Sequence, residues 1–168
     1  DPAGVAQLSI NEGGIVLATG TPVVRTVTAY ALVTIYGQEF ARSGVAALAA
    51  ALDNTGRVST QLAGTCVEID GERSPLLAVA EGQINLQVPH LGGLGPASVV
   101  VVRSCGTTNE VRSQPRPVDI AATVPAFFHF VNRDDGRNPI AALHGGGPGL
   151  VGAVGLLGEG VETTPAAP

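Results

Sequence analysis

Residues 62–89, LAGTCVEIDGERSPLLAVAEGQINLQVP, decide the fold. Cys66, Val67, Glu68, Ile69 and Asp70 alternate apolar with polar, the pattern of a strand with one buried face. Asp70-Gly71 then interrupts the run, and an Asp-Gly pair between strand-like segments signals a tight hairpin turn. Leu76, Leu77 and Val79 resume the apolar run behind Pro75. Glu81-Gly82 marks a second turn, after which Ile84, Leu86 and Val88 share one face and Asn85 and Gln87 the other. Pro89 has no N–H to offer a ladder and ends the pairing. Three short antiparallel strands joined by tight turns are expected. Val67, Ile69, Leu77, Val79, Ile84, Leu86 and Val88, with Val99 and Val101 from the next valine run, should form the core.

Composition points the same way. The chain has 168 residues, 45% hydrophobic and 14% charged, which suits one sandwich-sized domain with an extension or two small domains. Its 23 glycines and 12 prolines favour many short strands and turns over helices. A net charge of −5 gives no electrostatic footprint for nucleic acid. No run of 18 apolar residues appears, so no membrane span is expected.

Outward from the centre, 32–40 (LVTIYGQEF) reads as a strand, 97–102 as a valine-rich strand, and 118–120 and 127–131 as later ones. A turn at 132–136 and a strand at 140–143 follow. Residues 43–56, SGVAALAAALDNTG, are the one stretch with a helical signature. Ser43 is placed to cap it, alanine and leucine fill it, and Asn54-Thr55-Gly56 stops it.

Several of these motifs also carry a resemblance. GTCVEIDGERSPLLAVAEGQINLQVP resembles the core of a repeat in large secreted proteins of acidobacteria, in which a V-x-V/I-N/D-G-x-x-(A/S)-P-L-x-x-V segment runs into G-Q-I-N-x-Q-V-P. That repeat is similar to the IPT/TIG branch of immunoglobulin-like domains. Residues 32–40 resemble the V-T-I-x-G-x-x-F first strand of such domains. Residues 96–102 fit G-x-x-x-V-x-V, and 124–128 fit A-P-x-I-F. The likeness covers 31–144 and implies an all-β immunoglobulin-like sandwich in a secreted or cell-surface protein. Two cysteines, Cys66 and Cys105, are compatible with one disulfide or with two buried thiols; the secreted character of the family favours the bridge.

Two segments lie outside that domain. Residues 1–30 form an N-terminal β arm or hairpin, with strands at 6–10 and 15–18 separated by the Gly13-Gly14 turn. Residues 145–168 form a glycine-rich segment and a proline-containing tail. Glycine falls every third residue through 146–160, but five triplets with a single proline are too few for collagen. The tail resembles the linker that leads into another repeat. Both segments are apolar beyond what one sandwich needs. Val5, Ala6, Leu8, Ile10, Ile15 and Leu17 at one end, and Leu150, Val151, Val154, Leu156 and Leu157 at the other, are the candidate contacts with copies of the chain. Folding back onto their own domain is the alternative.

The catalytic motifs are incomplete. His144-Gly145-Gly146-Gly147 matches an esterase oxyanion string, but no G-x-S-x-G elbow accompanies it. The nearby glycines lack the Gly-Lys-Ser/Thr of a phosphate loop. Asn132, Asp134, Asp135 and Asn138 read as a solvated turn, with no glutamate to complete an EF-type calcium site. His90, His129 and His144 lack metal-ligand spacing. Glu68, Asp70, Glu72 and Glu81 read as solvent-side carboxylates. With no Trp, and with Tyr30, Tyr36, Phe40, Phe127, Phe128 and Phe130 mostly expected inward, a carbohydrate platform is poorly signalled. The expectation is a non-enzymatic secreted structural module without cofactor or metal, assembling with itself. The alternative is a ligand- or carbohydrate-binding module of a secreted enzyme.

Overall fold

Asp70 and Gly71 both take positive φ, 52° and 84°, as a two-residue hairpin turn matched to strand twist requires. Around that turn the computed structural model builds two largely antiparallel sheets. It describes residues 7–19, 25–49, 52, 55–125, 128, 140–142, 150–151 and 163–164. The chain divides into two compact units, Asp1–Val124 and Pro125–Pro168.

In the first unit the strands are β1 (Ser9–Leu17), β2 (Thr26–Val27), β3 (Leu32–Gln38), β4 (Ala46–Leu48), β5 (Thr65–Ile69), β6 (Glu72–Arg73), β7 (Leu76–Ala80), β8 (Gln83–Gln87), β9 (Gly95–Arg103), β10 (Val111–Arg112) and β11 (Arg116–Ile120). One sheet runs β1-β3-β8-β7-β4; the other runs β2-β11-β9-β5-β6, with β10 also on β9. The N-terminal segment serves both, since β1 pairs with β3 and β2 runs parallel to β11. The result is an immunoglobulin-like β-sandwich. Its core joins Val33, Ile35, Ile84 and Leu86 of the first sheet to Val67, Ile69, Val99 and Val101 of the second.

The central stretch does not form a simple three-strand meander. The β5–β6 hairpin ends at once, and residues 74–75 carry the chain into the other sheet, where β7 and β8 pair. Leu76 replaces Leu77 in the core. A bulge between Leu76 and Ala78 inserts one residue opposite β8, so Leu76 and Val79 both point inward and Leu77 is only half-buried. The other expected core residues are buried.

Two further expectations are corrected. No helix forms among the described residues of 43–56; Ala46–Leu48 is an edge strand on β7. Alanine's helix propensity is worth only tenths of a kcal/mol per residue over most alternatives, and a ladder on β7 outweighs it. At the N-terminus, Gly13-Gly14 is a bulge within one strand, not a turn between two. Five positions from Ile10 to Ile15 span two from Gly37 to Ile35 on β3. Gly13 has φ 65°, and Arg116 Nε of the second sheet donates to the Ile10 carbonyl at 3.0 Å.

The second unit contains β12 (Leu150–Val151) and β13 (Thr163–Thr164), paired in parallel, and Ala141 N–H donates to the Phe128 carbonyl. The expected turn at 132–136, most of the strand at 127–131 and most of the glycine triplets lie outside the described residues.

The register yields a paired prediction. Ile84→Ala should lower stability by about 2–5 kcal/mol, because it empties a fully packed site. Asn85, one residue along, points outward and accepts from Thr34 Oγ1 and Gln83 Nε2, each at 3.0 Å. Asn85→Ala should cost only about 1 kcal/mol. Urea unfolding of both variants checks the register: comparable losses would contradict it.

Candidate functional site

Cys66 and Cys105 are joined in a disulfide with a Cα–Cα separation of 5.9 Å. It does not cross between the sheets. Val67 and Ile69 point into the core, so Cys66 lies on the opposite, outer face of β5, and Cys105 sits in the turn after β9. There the pair packs with Val102, and Cys105 N–H donates to the Gly64 carbonyl. The bridge thus staples β5 to the end of its neighbour β9. Farther along this face, Glu68 is ion-paired with Arg112. At the sheet's end Arg103 holds Glu39 at 2.6 Å.

The candidate contact residues fall into three groups. Leu8, Ile10, Ile15 and Leu17 are buried in the core of their own sandwich. Leu150 is half-buried and lies with Val151 in β12. Val5, Ala6, Val154, Leu156 and Leu157 lie outside the described residues.

An exposed apolar edge that sequence reasoning missed lies on the first sheet. Strands β3, β4, β7 and β8 contain no charged residue. At their edge β4 pairs with β7 on one side, and Leu48 is 75% exposed, with Val45 and Leu52 also open. Leu48 and Leu52 lie four residues apart, a helical spacing, so the sequence offers no alternation here to announce a strand.

The aromatic residues also depart from expectation. Phe40 is fully buried, but Tyr30 is 61% exposed and Tyr36 43%. Tyr36 shares the parity of Thr34 in β3, opposite to the inward Val33 and Ile35, so its direction was available from alternation. Tyr30 occupies the third position of a turn in which Ala31 N–H donates to the Thr28 carbonyl, with φ 67°. Its ring stacks on His90 at 6.0 Å and 25°, and Tyr30 Oη and His90 Nδ1 share a hydrogen bond of 3.2 Å. These rings border an open cleft of about 410 Å³, also lined by Arg57, Arg73, Thr60 and Gln87.

A second cleft, of about 550 Å³, is lined by Glu12, Arg25, Arg116 and Asp119 among others. Its two arginines are matched by two carboxylates. Among the described residues no group of three or more His, Cys, Asp or Glu could hold a metal ion. Nor, among them, is any helix long and apolar enough to cross a membrane. Asn132, Asp134, Asp135, Asn138, His129 and His144 lie outside the described residues.

No family model, curated protein or solved structure matches the chain.

Proposed function

We propose that the chain is a non-enzymatic structural module of a secreted or cell-surface protein, an IPT/TIG-like domain that associates with copies of itself. The observation that carries this is the edge at β4. Sheets in monomeric proteins guard their edges with charge, proline or a covering segment. Here Ala46–Leu48 is an uncharged edge strand with Leu48 open to water, beside strands that are themselves uncharged. Leu8, Ile10, Ile15 and Leu17 are committed to their own core. The proposed contact therefore sets the apolar C-terminal stretch around Leu150, Val151, Val154, Leu156 and Leu157 of one copy against the β4 edge of the next. Such a contact is head-to-tail, and where its rotation does not close a ring it produces a filament. The disulfide supports an oxidising compartment.

Sedimentation and negative-stain microscopy of the full chain and of Leu48→Lys test the proposal. The full chain should form polymers, and the variant should remain monomeric with an unchanged circular dichroism spectrum. A full chain that stays monomeric at high concentration, or a variant that polymerises equally well, would contradict it.

A second reading, a saccharide-binding module, has a specific observation in its favour. Tyr30 presents an aromatic ring to solvent beside a cleft rich in hydrogen-bond donors.

A further inference from the structure

Tyr30 stands where its backbone is unfavourable. A positive φ in a turn suits Gly or Asn, and a residue with a bulky side chain is strained there. The strain brings no burial in return, since most of the ring is in water. What it does achieve is presentation. The turn is held by Tyr30 N–H donating to the Val88 carbonyl and by Gln87 Nε2 donating to the Tyr30 carbonyl at 3.2 Å. The exposed ring is further fixed against His90.

The cleft beside it also departs from the chain's overall charge. The protein carries a net charge of −5, yet the lining includes Arg73 and neither Asp nor Glu. Arg73 lies opposite Glu68 in the β5–β6 ladder, but the Glu68 carboxylate is engaged by Arg112. Among the described residues Arg73 has no ion-pair partner of its own. A fixed aromatic face, a guanidinium suited to planar carboxylate recognition, and the side chains of Gln87 and Thr60 converge on one open cleft.

We infer that this cleft binds an oligosaccharide bearing carboxylates, with a sugar ring on Tyr30 and a uronate carboxylate at Arg73. The inference rests on the saccharide-binding reading above and adds the site and the charge of the ligand. An apolar sugar face stacks on an aromatic ring, while its hydroxyls need donors and acceptors at the rim. An acidic peptide would use the arginines but would leave the ring's fixed presentation without purpose.

Calorimetric titration of the full chain with oligogalacturonate, maltohexaose and polyglutamate tests the inference, with Tyr30→Gly and Arg73→Gln as variants. Oligogalacturonate should bind, more weakly as salt rises, and each variant should weaken it by at least about tenfold. Tyr30→Gly should leave the unfolding midpoint unchanged or raised, because glycine relieves the positive φ; this separates a binding role from a structural one. Binding of maltohexaose with equal affinity would overturn the acidic assignment and leave the saccharide reading standing. Binding of neither sugar would overturn both. Equal binding of polyglutamate, or binding untouched by either substitution, would overturn the site.

Discussion

Phe40→Ala should destabilise the protein by about 3–5 kcal/mol, the range for removing a fully enclosed aromatic side chain. Phe40 is the largest fully buried side chain described, and it closes one end of the sandwich. Its N–H donates to the Glu81 carbonyl in the β7–β8 turn, and its carbonyl accepts from Thr65 Oγ1 on β5 at 2.6 Å. The residue thus ties a turn of the first sheet to a strand of the second. Its ring rests on Gly37, where an added Cβ would run into the ring and into the Ser9 carbonyl of β1. The spacing Gly37-x-x-Phe40 therefore has a steric cause: the ring needs the surface that glycine leaves bare. Gly37→Ala should also destabilise strongly, because one of its obstacles is backbone. Urea unfolding checks both, with a lower midpoint expected at an unchanged slope. A loss below about 1 kcal/mol for Phe40→Ala would show that the ring is not enclosed.

Removing the disulfide by Cys66→Ala with Cys105→Ala should cost about 4 kcal/mol. The bridge spans 39 residues, and the chain-entropy estimate for a loop of that length gives this figure. The fold itself should survive. The bridge sits on the outer face of its sheet, apart from the main core cluster, and β5 already pairs with β9 over five residues. The expected result is a native circular dichroism spectrum with a strongly lowered unfolding midpoint. An unchanged midpoint would mean that the bridge does not restrict the unfolded chain enough to stabilise the fold. A lost β spectrum would mean that the bridge is needed to form the sheet.

How far the fold was legible depended on whether one physical effect acted alone. Ile84, Leu86 and Val88 announced their strand because alternation there is unbroken and one face is wholly buried. Asp70-Gly71 was equally legible, since few residue pairs accept positive φ in succession. Leu76 was not, because a one-residue bulge reverses alternation without leaving a composition signal. Ala46–Leu48 was misleading because alanine favours helix locally, whereas the outcome was set by a partner strand about thirty residues away. Gly13-Gly14 has the composition of a turn whether the chain reverses or bulges. The cleft was illegible for a different reason: Tyr30, Gln87 and His90 meet where β3 pairs with β8, and Arg73 joins them from the other sheet.

The central claim is that residues up to Val124 close a sandwich by themselves, with β1 paired to β3 of the same chain. A strand donated by a neighbour would make the same ladder, so protein concentration distinguishes the two. Hydrogen exchange of the β1 amides, followed from dilute monomer to concentrated protein, is the most direct measurement. Amides around Ile10 and from Ile15 to Leu17 should be protected to the same degree at every concentration. Rapid exchange in dilute monomer, with protection appearing only on association, would show that β1 completes a neighbouring copy instead.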